Sequence, residues 1–131
     1  MDKFTIIDSY LGQNEVPIRT EKELRDQLQS VLKTGTNQII TLHSAESGDL
    51  TLGIGKPYGF VEYMDNTQKH PFLIATDHSV ERAAEYYEFD SGGTATPIPA
   101  GNCIMMDRVF DIAIYFFTHS KIPKDVNWEE E

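Results

Sequence analysis

A chain of 131 residues, 40% hydrophobic and 11% aromatic, can bury one core without disulfide or metal staples, and its composition excludes a disordered polymer. Its 21 acidic against 11 basic residues leave a net charge of −10, which repels phosphate backbones and anionic bilayers and argues against nucleic-acid and membrane-surface partners. Cys103 is the lone cysteine, no basic leader precedes an apolar segment, and no apolar run nears the roughly 20 residues that span a bilayer, so the expectation is one cytoplasmic domain over residues 1–131.

In chain order, Phe4–Tyr10 reads as a first strand and Gly12-Gln13-Asn14 as a turn. Thr20-Glu21-Lys22-Glu23 is a capping-box pattern, with Thr20 as N-cap and Glu23 at the third helical position. Leu24, Leu28, Val31 and Leu32 continue it at helical spacing, which predicts an amphipathic helix over 20–34 that stops at Gly35. The middle of the chain then alternates. Ile40 and Leu42 share one strand face, Leu50, Leu52 and Ile54 another, and Ser47-Gly48-Asp49 reads as the loop between them. Further strands are expected over 60–64, 72–75 and 85–90, with Tyr87 and Phe89 on one side of the last. Ser91-Gly92-Gly93 turns the chain into another run, Thr94–Ile98. Two interleaved apolar rows, Met105-Val109-Ile112-Phe116 and Met106-Phe110-Ala113-Phe117, predict a largely buried helix over 102–119 with Asp107 and Asp111 outside. Strand, helix, run of strands, helix is an α+β order: one mainly antiparallel sheet with two helices packed on one face.

Chemistry-bearing patterns are scarce. His43, His70, His78 and His119 have no metal-ligand spacing. Cys103 falls at the start of the predicted second helix among apolar neighbours, without a cysteine-enzyme signature around it. Gly53-Ile54-Gly55-Lys56-Pro57-Tyr58-Gly59 matches no phosphate-binding glycine motif and reads as a tight turn between strands. Asp107 and Asp111, one helical turn apart, suit a solvated face better than an acid–base pair. No catalytic residue, cofactor or metal is expected. Trp128 before Glu129-Glu130-Glu131 reads either as a frayed terminus or as an anchor that docks the tail.

Several of these motifs, in this order, resemble the polymorphic-toxin immunity family numbered one. They are Glu23-Leu24 in the first helix, Leu50-x-Leu52-Gly53-Ile54-Gly55, Glu85-Tyr86-Tyr87 with Gly92-Gly93, and Pro97 to Ala100 before the apolar helix. The ending Ile122-Pro123-x-x-Val126-x-Trp128-Glu129 completes the set. The resemblance covers about 20–131. It implies a small bacterial α+β protein that neutralises a cognate secreted toxin, often a nucleic-acid deaminase, by binding it, with no cofactor and no turnover. Gly53, Gly55, Trp128 and Glu129 carry the resemblance and read as structural. An acidic protein complements the basic groove that such a toxin needs to attract nucleic acid. Candidate contacts combine aromatic and acidic character on strands: Glu62, Tyr63 and Asp65, and Glu85, Tyr86, Glu88 and Asp90. For any one of them a solvated sheet face is the plainer explanation. Two rival readings stay open: a small-ligand protein or orphan enzyme with an aromatic pocket between sheet and helices, gathering His43, Cys103 or Asp77, and an adaptor for another cytosolic protein.

Overall fold

The structure is a computed structural model in which residues 4–8, 14–67, 72–77 and 85–131 are described. The expectations at Ser9-Tyr10 and Gly12-Gln13, and the histidines at 70 and 78, lie outside these residues. The elements run β1 (Phe4–Asp8), β2 (Asn14–Ile18), α1 (Glu21–Lys33), β3 (Gln38–Ser44), β4 (Gly48–Ile54) and β5 (Tyr58–Met64). They continue with β6 (Leu73–Thr76), β7 (Tyr86–Ser91), β8 (Thr94–Pro99), β9 (Ile104–Met105), α2 (Met106–His119) and β10 (Asn127–Glu130). The sheet order is β10-β6-β5-β4-β3-β1-β2, and every pairing along it is antiparallel. This is the expected α+β architecture.

Both helices lie on one face. Thr20 accepts a hydrogen bond from the Glu23 N–H at 3.1 Å, and the Glu23 carboxylate accepts from the Thr20 N–H at 3.1 Å, so the capping box is closed at both ends. The helix it starts buries Leu24, Leu28 and Val31. Alternation along the strands sends Phe4, Ile6, Ile40, Leu42, Leu50, Leu52, Ile54 and Val61 to the same side, where they meet Val109, Ile112, Ala113 and Phe116 of α2. The aromatic residues there pack edge-on, with ring centroids 5.5 Å apart for Phe4–Phe116 and 5.8 Å for Tyr63–Phe116. Gln38, buried at the base of β3, donates to the hydroxyls of Thr34 (2.6 Å) and Thr36 (2.8 Å). Its polar group is thereby satisfied, as burial demands.

The opposite face carries a second core that the sequence did not announce. The β7–β8 hairpin leaves the main path, touches β3 through one parallel bridge, Gln38–Asp90, and lies across the sheet. Phe60, Ile74, Phe89 and Cys103 are buried beneath it, with Ile39, Tyr58, Tyr87 and Ile98 packed around them.

Several elements depart from the expected bounds. The second helix begins at Met106, not at residue 102: Ala100–Asn102 is a 3-10 turn, and Ile104 and Met105 pair with Gly59 and Tyr58. The Met106 N–H is taken by the Pro57 carbonyl at 3.1 Å, so the sheet satisfies a donor that the helix would leave orphaned. Met105 is consequently exposed, and Cys103 sits in the second core instead of at a helix N-terminus. The turn expected at 47–49 falls at 45–47. Strand β2 was unforeseen, because Pro17 disguises the alternation of Val16 and Ile18.

Candidate protein-binding site

The hairpin is shaped by its turn. Gly92 and Gly93 both have positive φ (59° and 95°), the conformation that a two-residue hairpin turn needs at both positions. Its register is Tyr86–Pro99, Glu88–Pro97 and Asp90–Ala95 on one side, and Tyr87–Ile98 and Phe89–Thr96 on the other. The second set faces the sheet. Phe89 meets Phe60 edge-on at 5.1 Å, and Tyr87 lies 5.2 Å from Tyr58. Gly53 makes this possible, since a Cβ there would fall inside the Phe60 ring. The Phe60 ring lies over a glycine of β4, Phe89 lies on Phe60, and the hairpin is fastened by that stack.

Fastening the inner set turns the outer set to solvent. Tyr86 is 58% exposed, beside Pro99, Glu88, Pro97, Asp90 and Ala95, with Glu85 just before it. Asn37 holds the strand in place: its carbonyl accepts from the Asp90 N–H at 2.8 Å, and its side-chain amide donates to the Glu88 carbonyl at 3.1 Å. Glu85, Glu88 and Asp90 make no ion pair among the described residues. By contrast, three cations on or beside the helices are neutralised locally, in the pairs Lys22–Asp26, Arg25–Glu21 and Arg108–Asp125.

Beyond the hairpin the same side of the sheet carries a cross-strand row, Glu15–Ile7–Thr41–Thr51–Glu62–Ile74–Glu129. Glu62 is half-buried in it. Burial pushes its carboxyl up to about 8, helped by a hydrogen bond to the Glu131 side chain and by repulsion from that group's charge. The next row contains His43, whose Nδ1 pairs with the carboxylate of its cross-strand neighbour Asp49.

The predicted contact residues are thus divided. Tyr86, Glu88 and Asp90 share the outer hairpin face with Glu85 at its edge, and Glu62 lies on the same side of the sheet. Tyr63 points the other way: its ring packs on Phe116, its hydroxyl donates to the Ser47 carbonyl at 2.8 Å, and burial raises its pKa. Asp65 closes a local turn by accepting from the Thr67 N–H and hydroxyl. Gly55 stands where a Cβ would strike the Asn37 side chain. Trp128 packs against the main core, and its Nε1 donates to the Pro123 carbonyl at 3.0 Å, while Glu129 faces the row containing Glu62. Pro97, Pro99 and Glu131 join this surface although the sequence does not mark them as contact residues. The alternation of Thr96 and Ile98 between the prolines was the available signal for the first two.

Of the residues named for the rival site, His43 and Cys103 are kept apart. His43 lies in the register row of Met64, and Cys103 precedes the partner of Gly59, about 17 Å away along the strand. The Asp77 N–H is held by the Gly101 carbonyl. Among the described residues, no group of three or more His, Cys, Asp or Glu side chains is placed to hold a metal ion, and no helix is long and apolar enough to cross a membrane.

An acidic, aromatic and proline-bearing surface on a rigidly backed hairpin is suited to binding a protein. No match was found among curated proteins. The family model described as Immunity protein Imm1 matches residues 12–130. The chain belongs to the Imm1 family of immunity proteins, and the role it carries is immunity to a toxin.

Proposed function

We propose that this protein confers immunity by stoichiometric binding in the cytoplasm. It covers the working surface of a cognate polymorphic toxin, a nucleic-acid deaminase or nuclease domain, and performs no bond chemistry itself. The observation that carries the reading is the outer face of the β7–β8 hairpin. There Tyr86 stands exposed among Glu85, Glu88 and Asp90, while the inner face is spent on the second core. A toxin that attracts nucleic acid presents cationic side chains, and these carboxylates, which make no ion pair among the described residues, offer them charged hydrogen bonds while Tyr86 supplies an anchor. Glu129, in the same cross-strand row as Glu62, extends the acidic surface across the sheet. Membership of the immunity family supports the existence of a toxin partner, and the net charge of −10 supports a basic one.

Co-expression with a candidate cognate toxin domain, a nucleic-acid deaminase or nuclease, tests the reading. The wild type should restore growth and bind the purified toxin one to one. Tyr86→Ala should weaken binding by about 30-fold, the scale of an interface hot spot. Continued toxin activity in a saturated complex would refute stoichiometric blockade.

A further inference from the structure

The sheet has edges, and an edge is a row of unmade hydrogen bonds that another strand can complete. Among the described residues, the strands of four or more residues with a single hydrogen-bonded neighbour are β2, β8 and β10. Two of them are closed by proline. In β8, the two-glycine turn makes Ser91–Thr94 a hydrogen-bonded pair, so by alternation the backbones of Ala95, Pro97 and Pro99 face outward. Two of these three positions lack an N–H. In β2, Pro17 stands opposite Thr5 and cannot donate to β1, so its position also belongs to the outward set.

Strand β10 differs. The Glu131 N–H donates to the Phe72 carbonyl at 2.9 Å, and alternation makes Glu129–Ile74 the next hydrogen-bonded pair. The backbones of Trp128 and Glu130 therefore face away from β6 with both N–H and C=O intact. Neither residue makes a further hydrogen bond among the described residues; the one polar contact of Trp128 is its ring N–H. The strand is also firmly backed, because Trp128 is packed into the main core. What guards this edge is charge. Glu129 faces one side of the sheet, Glu130 the other, and Glu131 follows. A proline bars every incoming strand, whereas a glutamate bars only strands that bring no cation.

We infer that the β10 edge is a docking site for an extended, Lys/Arg-bearing segment of the toxin, which joins the sheet as an added strand. Trp128 and Glu130 supply the backbone pairing, and the three glutamates select a basic occupant from either face. A second copy of this chain is disfavoured, because pairing two β10 edges would set carboxylates against carboxylates. This assignment rests on the immunity reading above and adds where and how the toxin is gripped.

Amide hydrogen exchange on this protein, free and saturated with a catalytically inactivated cognate toxin domain, reads the pairing directly. The Trp128 and Glu130 amides should exchange freely alone and slow about tenfold or more in the complex, while the Glu15 and Ala95 amides stay fast. Glu130→Pro, which removes the outward N–H and leaves the bonds to β6 intact, should weaken toxin binding about tenfold. Glu130→Gln, which keeps the N–H, should weaken it less. Unslowed Trp128 and Glu130 amides in a saturated complex, or equal losses in the two variants, would overturn the edge assignment and leave immunity by binding intact. Protection in the free protein that rises with concentration would reassign the edge to a second copy. A wild type that does not bind the toxin domain would bring down both.

Discussion

At the residue scale, two side-chain positions expose how narrowly the sheet is tuned. Gly53 is required by contact, not by backbone angle: the Phe60 ring occupies the space its Cβ would need. Gly53→Ala should therefore cost about 1–3 kcal/mol in denaturant unfolding, the usual penalty for overfilling a packed core, and adding Phe60→Leu should recover part of it. Glu62 is the second. Its folded pKa of about 8 lies above the ordinary carboxylate value because burial and the Glu131 carboxylate both disfavour its charge. The folded state then binds more protons than the unfolded one between about 4.5 and 8, so this group's contribution to stability falls as pH rises through that window and stays low above it. Glu62→Gln should flatten the fall and leave the protein more stable than wild type at pH 9. The gain should be on the order of 1 kcal/mol, since the half-exposed group is partly solvated. Thermal melts of both proteins from pH 5 to 9 check it.

At the element scale, each piece that presents the candidate site is held by a separate device. Helix α1 is started by the reciprocal Thr20–Glu23 bonds, and Thr20→Ala should lower stability by about 1 kcal/mol in denaturant titrations without touching toxin binding. The hairpin is held differently, by Phe89 on Phe60 and by Asn37 along its backbone. Phe89→Ala should cost about 3–5 kcal/mol, because it empties the centre of the second core, and should weaken binding as the outer face loses its support. Urea unfolding and calorimetric binding together distinguish this from Tyr86→Ala, which should weaken binding with stability unchanged.

At the scale of the whole molecule, the charge is large and unevenly neutralised. Three pairs beside the helices balance cations locally, whereas Glu85, Glu88 and Asp90 on the hairpin are left without ion pairs among the described residues. Complementary fields act mainly on the rate of encounter. The association rate with the toxin should thus fall steeply, about tenfold or more, between low salt and 0.5 M salt, with dissociation changing far less. Stopped-flow measurements across that range decide it, and a salt-independent association rate would remove charge from the recognition.

Much of this protein was determined by local pattern alone. The capping box and its apolar stripe specified α1, alternation marked the central strands with their inward faces, and the order of elements gave the α+β class. The glycine-rich strand and the Trp-Glu ending pointed to the immunity family. These are short-range signals, carried by residues within one element. What tertiary structure decided was relational. Only the fold shows that Tyr63 turns inward while Glu62, its neighbour in sequence, turns out beside Glu129, and that Cys103 lies under a hairpin instead of capping a helix. Only the register reveals that prolines close β2 and β8 while β10 keeps its outward donors. The reason is physical: a face or an edge is defined by the strand across from it, and that partner lies far away in the chain.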